Sequence, residues 1–442
     1  MFKSVDPTKE PLLKSIVLLS IPMMLEMAAQ NLFNLVDTYF VSRISYKAIG
    51  ALVSSSITMM VIYSISIGIS TACGMYIAYF WGAKKFSRAY FFYSNAFGFI
   101  VVLSLVLVAV FYFFLRDIVS LVGLKGDVFV YAYNYLSVSV LGLGLNFLFS
   151  LNNSSLRSIS LPSLALIVMV LTNSLNAVLD PLFIFYLKMG IKGAAFSTIV
   201  SVFLGLALQL YFLFRRGFYI AFRVRLEIIK RIVKKGVYAS LHLFFRIVSM
   251  LVLIRIIGGI SQMAISGYSV VIRIYQVLLF LVFGIANASF VVVGQNFGAK
   301  RVDRLKRAPW YAILFGVCFV GLLNVVLYLN RDFMLGLFVN ASGVFSIARD
   351  VLFFYFLSYP FVIASTIAAR SSMALHDTKR PSMINLFNLW FFLLPLAYIL
   401  SKHYGVKGVW ASIAVSNLTA FLANMVLLKL NIRRAIYETA KG

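Results

Sequence analysis

Acidic residues are scarce in this chain of 442 residues. There are 13 Asp and Glu against 40 Lys and Arg, which gives a formal net charge of +27. Charged residues make up only 12% of the chain, whereas a soluble domain contains about 25%. Because 62% of the residues are hydrophobic and the mean hydropathy is +0.96, the composition predicts an all-α polytopic membrane protein and excludes an ordinary soluble domain.

Cysteine and histidine are scarce as well. The two cysteines, Cys73 and Cys318, lie in separate apolar stretches, so they indicate neither a disulfide framework nor a metal site. The three histidines, His242, His376 and His403, are scattered along the chain. No metal-ligand spacing and no nucleophile–base pair is visible, and we therefore expect a protein that is not an enzyme and needs no cofactor.

The basic residues gather in alternate loops, at 84–88, 215–235, 300–307, 379–380 and 433–434. This is the positive-inside pattern of a multi-pass plasma-membrane protein, and it predicts that both termini are cytoplasmic. The basic faces are expected to contact anionic lipid headgroups rather than nucleic acid. Residues 1–14 are polar and basic and the first apolar run is long, so we expect no cleavable signal.

Two halves of the chain repeat each other. Ile44-Ser45 is matched by Ile260-Ser261 and Gly82-Ala83-Lys84 by Gly298-Ala299-Lys300, at a shift of about 216 residues. We count about twelve apolar spans, and predict two pseudo-symmetric six-helix lobes, 1–214 and 231–442, joined by a basic cytoplasmic linker at 215–230. An even number of spans gives both lobes one orientation. Such repeats are typical of transporters that open alternately to either side.

The first span, 16–41, carries two acids where hydrocarbon should exclude them, Glu26 and Asp37. Such a charge costs about 2.5–3.5 kcal/mol or more at mid-membrane, so it normally faces a cavity. At 3.6 residues per turn, Gln30 and Asn34 fall on the same face, within roughly 80°. Pro22 is expected to bend this helix. The alternative interpretation is a polar stripe that only hydrogen-bonds neighbouring helices.

The fifth span holds a third intramembrane acid, Asp180, with Asn173 and Asn176 on the same face. Asp37 and Asp180 each lie about seven residues before the outer ends of their spans, and Thr198 reaches the same depth. Oxygen ligands of this kind suit a hard cation such as Na⁺, held by the two aspartates, and close carboxylates suit a shared proton. A static hydrogen-bond network is the alternative.

The second half has lost both aspartates. At the offset of 216, Asp37 corresponds to Leu253, so ion handling should belong to the first lobe alone. In the same register Glu26 corresponds to His242 and Gln30 to Arg246. We expect His242 and Arg246 to face the central cavity, where Arg246 either pairs with Glu26 or binds an anionic group of the cargo.

The sequence resembles the multidrug and toxic compound extrusion (MATE) family over nearly its whole length. The residues that carry the resemblance are Pro22 with 34–38 (NLVDT), 82–84 (GAK), 156–158 (LRS), 176–183 (NAVLDPLF) and 190–198 (GIKGAAFST). The resemblance is greatest to the prokaryotic subgroup with coupling acids in the N-terminal lobe. It implies cation or proton coupling at Asp37, Asn176, Asp180 and Thr198, and a bending role for Pro22.

The resemblance implies a secondary antiporter that exports amphipathic, drug-like compounds in exchange for Na⁺ or H⁺ by alternating access. Another subgroup uses acids in spans seven and ten, but here span ten has only Asp350, near its outer end. A flippase or exporter of a lipid-linked or anionic amphiphile remains the alternative, favoured by Arg246. In either case we expect a monomer that contacts lipid and a small amphipathic cargo.

Overall fold

The computed structural model describes residues 5–221, 225–339 and 341–441, and all regular secondary structure in these ranges is helical. The chain forms two compact units. The first unit is Leu25–Ser240, and the second unit combines Val5–Met24 with the chain from Leu241 onward. Two helices, one near each division, contribute residues to both units. The helical secondary structure of the described residues confirms the predicted all-α class.

The first part of the chain contains helices α1 to α8. Their bounds are α1 Leu12–Ser42, α2 Tyr46–Gly82, α3 Phe86–Phe113, α4 Leu115–Leu121, α5 Gly126–Ser139, α6 Leu143–Ser158, α7 Pro162–Pro181 and α8 Ile191–Phe214. A 3₁₀ turn at Val140–Gly142 joins α5 to α6, and a π-helical turn at Leu182–Tyr186 follows α7.

The second part of the chain contains helices α9 to α15. Their bounds are α9 Leu226–Gly258, α10 Gln262–Gly298, α11 Val302–Leu329, α12 Arg331–Gly336, α13 Ser342–Ala374, α14 Lys379–Phe387 and α15 Leu394–Lys441. A π-helical turn at Asn388–Leu393 connects α14 to α15.

Eleven helical segments within the described residues are long and apolar enough to cross a membrane. A helix satisfies its own backbone hydrogen bonds, which is why apolar runs of this length are helical in lipid. The last segment, Lys379–Ala440, has 62 residues, far more than the roughly 20 that one crossing needs. Its backbone leaves the helical region at Gly405 (φ 56°, ψ −140°), which divides it into two spans and gives the predicted twelve.

The backbone repeats in detail between the two halves. Helices α2 and α10 have 37 residues each and begin after capping serines, Ser45 and Ser261. Helices α3 and α11 have 28 residues each. Lys84 and Lys300, one residue beyond the C-caps of α2 and α10, both adopt φ 55°. Equal helix lengths and equal turn conformations at one register support the internal duplication.

The predicted lobes, 1–214 and 231–442, are defined by the internal repeat, whereas the two units are defined by how compactly the chain packs. The lobe boundaries therefore stay a prediction. The predicted linker at 215–230 is helical from Leu226 onward, where α9 begins. Residues 222–224 of that linker lie outside the described residues.

Close packing of α7 against α8 determines where the polar residues of the first unit meet. A side chain at Gly205 of α8 would collide with Thr172 of α7, so only glycine allows this approach. Asn176 lies one turn after Thr172 on α7. The same contact therefore brings the C-terminal half of α7 alongside the N-terminal half of α8.

Candidate functional site

Asp37 of α1 and Asp180 of α7 meet in the first unit, as the sequence predicts. Their carboxyl groups are close enough to interact as charges and to share a hydrogen bond. Asp180 is fully buried and Asp37 is 9% exposed. Two carboxyl groups can form a hydrogen bond with each other only when one of them holds a proton. Two carboxyl groups at this separation are suited to sharing one proton.

Asn176 links this pair to α8. In the amide orientation that satisfies its neighbours, its NH₂ group donates to Asp37 Oδ1 at 3.0 Å. Its carbonyl oxygen accepts from the backbone N–H of Thr198 at 3.2 Å. The Ser197 hydroxyl oxygen also lies 3.2 Å away, but the single proton of that hydroxyl is directed to Asp180. A backbone N–H only donates, so the amide oxygen must face Thr198 and the NH₂ group faces Asp37. Asn176 is fully buried, so the amide holds Asp37 in a fixed position.

Ser197 lies beside Asp37, Asp180 and Asn176, although the sequence analysis did not single it out. We call these four residues the aspartate cluster. The Ser197 hydroxyl donates to Asp180 Oδ1 and is completely buried. Thr198, which the sequence did indicate, contributes differently from the expected hydroxyl ligand. Its hydroxyl donates to the Ala194 carbonyl at 3.0 Å, and its backbone N–H reaches Asn176. Ser197 precedes Thr198 directly and lies at a similar depth, so its position in the sequence could have indicated it equally well.

Tyr135 of α5 is a second residue that the sequence analysis missed. Its phenol interacts electrostatically with Asp37, Asp180 and Tyr63. Tyr135 comes nine residues after the start of α5 at Gly126, so its depth resembles that of the aspartates. With 24 tyrosines in the chain, nothing but this depth could have distinguished it.

The aspartate cluster offers two carboxyl groups, and the Asn176 oxygen already accepts from the Thr198 N–H. Within the described residues no group of three or more His, Cys, Asp or Glu could hold a metal ion. A Na⁺ ion would need the Asn176 oxygen turned toward it as an additional ligand. The two carboxyl groups as they lie here suit a proton, which needs no such ligand shell.

The backbone beside Asp180 is irregular. Pro181 follows it and has no N–H to donate, and the π-helical turn at Leu182–Tyr186 comes next. Gly193 of α8 lies against this turn, where a Cβ atom would be 2.7 Å from the Phe183 carbonyl carbon. Single π-helical turns within α-helices are frequent at functional sites. Such a turn shifts the register of the side chains that precede and follow it.

Glu26, predicted as a cavity residue, is 1% exposed and lies outside the aspartate cluster. Its Oε2 is 3.7 Å from Arg157 Nη1 at the end of α6, and Arg157 Nε donates to the Asn153 carbonyl at 3.3 Å. Glu26 Oε2 has no hydrogen-bond partner in the described part of the chain. This ion pair lies within the first unit, where Arg157 is the ionic partner of Glu26.

The remaining predicted residues of the first unit lie around the cluster. Asn173 donates to the Ala29 carbonyl at 3.1 Å and ties α7 to α1. Gln30 and Asn34 are exposed, and no hydrogen bond among the described residues joins their side chains to the aspartates. Helix α1 continues through Pro22, and the division between the units falls shortly after it.

His242 and Arg246 lie on α9 in the second unit. Arg246 is exposed and His242 is half-buried, although both belong to a membrane-spanning helix. The Arg246 guanidinium carbon is 6.0 Å from the centre of the Phe283 ring. Tyr268, Tyr355 and Tyr359 are close enough to Arg246 to interact electrostatically with it.

Comparison with protein families gives one matching model, MatE, which matches residues 22–182 and again 239–399. The two matches cover more than half of the chain. They are offset by about the same distance as the internal repeat, so each half of the duplication carries one copy of the family pattern.

Individual proteins are similar over nearly their full length. The multidrug export protein MepA of Staphylococcus aureus (strain NCTC 8325 / PS 47) is 23% identical, with 98% of this chain and 97% of MepA covered. An FAD transporter of Shewanella oneidensis is 25% identical, with 88% of each chain covered. A solved structure of a MOP superfamily transporter from Pyrococcus furiosus, described as having a binding pocket of reverse polarity, is 25% identical with a TM-score of 0.87, covering 98% of this chain and 99% of that one.

Proposed function

The chain belongs to the MATE family of membrane transporters, and we propose that it is an antiporter that exports an amphipathic small molecule in exchange for a cation bound at Asp37 and Asp180. The meeting of these two acids in the first unit is the observation that carries the proposal. Members of the family are transporters and not enzymes, which agrees with the absence of catalytic motifs in the sequence.

Coupling follows from the charge that the aspartate pair can gain and lose. Binding of a cation from outside would neutralise the pair and favour release of the cargo there. Binding of cargo from inside would favour loss of the cation. Each charge that crosses the membrane potential contributes about 2.3 kcal/mol per 100 mV, which is sufficient to drive uphill export.

We favour a proton over Na⁺ as the coupling ion. The two carboxyl groups are close enough to share a hydrogen bond, which requires a proton on one of them. Asn176 directs its NH₂ group toward Asp37, and an NH₂ group cannot coordinate a metal ion. Ser197 donates to Asp180 and so compensates a negative charge that a metal ion would otherwise balance.

The similar proteins support export of small molecules but differ in cargo, since MepA is a multidrug export protein and the Shewanella oneidensis relative is an FAD transporter. We therefore propose a small amphipathic cargo without naming the compound. The positive-inside pattern supports a multi-pass plasma-membrane protein with cytoplasmic termini, and we propose that one chain suffices for transport.

The proposal is tested by transport in proteoliposomes, with pH and Na⁺ gradients imposed separately. The cargo is either rhodamine 6G, a singly charged xanthene cation, or sulforhodamine B, a xanthene of similar size with a net negative charge. We expect a pH gradient to drive transport of at least one dye. We expect Asp37→Asn and Asp180→Asn to abolish that transport, because an amide cannot load a proton at this site.

The control is Asp117→Asn, which changes an exposed acid in the short helix α4 and should transport like the wild type. Size-exclusion profiles establish that all variants are folded. Full gradient-driven transport in both site variants would contradict the proposal. An uncoupled flippase would show transport that responds to neither gradient, and stimulation by Na⁺ alone would replace the proton with Na⁺.

A further inference from the structure

Arg246 is a positive charge in the middle of a membrane-spanning helix. It comes 20 residues after the start of α9 at Leu226, and its side chain is exposed. It does not point away from its own unit, because it interacts with residues of α10 and α13. A charge at this depth normally lines a cavity and has a partner that compensates it.

No carboxylate in the described part of the second unit lies within ion-pair distance of Arg246. The acids of this unit are near helix ends, and most have basic partners of their own: Asp332 with Arg349, Asp350 with Lys407, Asp377 with Arg380, and Glu438 with Arg434. The Arg246 guanidinium therefore keeps its positive charge uncompensated by acids of its own unit.

The charged neighbours of this position have the same sign. His242, one turn earlier on α9, has Arg246 and Arg370 as its charged neighbours. The charged groups beside His242 are thus positive, and they disfavour an organic cation at this position. Long-range attraction between such a surface and an anion raises the local concentration of the anion.

Aromatic residues surround Arg246. Tyr268 and Tyr355 are hydrogen-bond partners, and Tyr268 stacks on Trp410 with ring centres 5.5 Å apart. Tyr359 is held by a bond from its hydroxyl to the Tyr275 carbonyl at 3.4 Å. Tyr268 and Tyr359 are almost completely buried, so these rings are fixed in place. We call Arg246, Tyr268, Tyr355, Tyr359 and Phe283 the arginine–aromatic cluster.

We propose that the arginine–aromatic cluster binds the cargo and selects an aromatic organic anion, with the Arg246 guanidinium on its carboxylate, sulfonate or phosphate group. This inference rests on the proposed export function and specifies its substrate class. A guanidinium forms two parallel hydrogen bonds with such a group, and aromatic side chains pack against an aromatic body with defined geometry.

Binding of sulforhodamine B and rhodamine 6G to the purified full-length protein in detergent tests this inference by fluorescence polarisation, without any ion gradient. The two dyes share a xanthene core and differ in net charge. We expect tighter binding of sulforhodamine B. Arg246→Gln should weaken it by roughly tenfold or more, since loss of a charged hydrogen-bonding group commonly costs that much. Arg246→Lys should retain the preference for the anion.

Arg255→Gln is the matched control, because Arg255 lies in the last turn of the same helix. It should bind sulforhodamine B like the wild type. Three results would each overturn the inference. They are tighter binding of rhodamine 6G than of sulforhodamine B, no binding of sulforhodamine B at millimolar concentration, and an unchanged affinity for sulforhodamine B in Arg246→Gln. Displacement of sulforhodamine B by phosphatidylglycerol micelles would assign the site to a lipid headgroup and overturn the small-molecule assignment.

The two proposals fail separately. If the aspartate variants lose gradient-driven transport but still bind the dye, the result supports the coupling proposal and leaves the substrate class untouched. Unchanged dye binding in Arg246→Gln, with gradient-driven transport still dependent on Asp37, would reject the substrate class and leave coupling in place.

Discussion

Two buried or mid-membrane charges of this chain differ in how they are compensated. Glu26 is 1% exposed and has Arg157 at 3.7 Å within the first unit. Arg246 has no described acidic neighbour in the second unit and is exposed. A compensated buried charge contributes to structure, whereas an uncompensated accessible one is available to a ligand.

The Glu26–Arg157 pair predicts an asymmetry between its two neutralising variants. Arg157→Gln leaves a buried carboxylate without a counter-charge and should lower the free energy of unfolding by about 1–3 kcal/mol. This loss of stability is smaller than that expected for a fully buried ion pair, because the Arg157 side chain is 19% exposed. Glu26→Gln removes the buried charge and should change stability by less than about 1 kcal/mol.

Thermal unfolding in detergent measures both variants and the double variant Arg157→Gln/Glu26→Gln. The double variant should recover most of the stability lost in Arg157→Gln, because the uncompensated charge is gone. Equal destabilisation by the two single variants, without recovery in the double variant, would show that packing rather than charge holds this contact together.

The irregular turn after α7 shows how one element positions the aspartate pair. Gly193 lies so close to the π-helical turn that a Cβ atom would be 2.7 Å from the Phe183 carbonyl carbon and oxygen. These are backbone atoms, which cannot move aside as a flexible side chain can. Gly193→Ala should therefore shift the turn, displace Asp180 and destabilise the protein by about 1–3 kcal/mol.

Thermal unfolding and pH-driven dye transport check this prediction together, and both should fall. Gly321→Ala is the control, since Gly321 also lies within a helix but a Cβ atom there meets nothing within 4 Å. Alanine favours helix over glycine by roughly 0.5–1 kcal/mol, so the control should be at least as stable as the wild type. Unimpaired transport in Gly193→Ala would show that the turn does not set the position of Asp180.

The elements were more predictable from the sequence than the contacts within them. Long apolar runs and positionally equivalent motifs predicted the spans and the duplication, because lipid tolerates only backbone that satisfies itself. Helical periodicity and depth also brought Asp37 and Asp180 together correctly. Neither could reveal Ser197 or Tyr135, since small hydroxyl and aromatic residues are common in such helices. The pairing of Glu26 with Arg157 depends on tertiary packing that no spacing rule encodes.

Charge accounts for how the whole molecule would use the membrane potential. If the coupling ion is a cation moving inward and the cargo an anion moving outward, both steps carry positive charge inward. The exchange of one singly charged ion of each kind then gains about 4.6 kcal/mol per 100 mV, from 2.3 per charge. If the cargo were instead a singly charged organic cation, a one-for-one exchange would move no net charge.

A K⁺ diffusion potential set with valinomycin, negative on the cytoplasmic side and without a pH gradient, separates these cases. We expect it to drive sulforhodamine B outward and to raise the limiting dye gradient by roughly a thousandfold per 100 mV, before leak is considered. Rhodamine 6G should respond weakly. Arg246→Gln should abolish the response to sulforhodamine B, whereas Arg255→Gln should preserve it. Sulforhodamine B transport that is indifferent to the potential would rule out the combination of inward cation and outward anion.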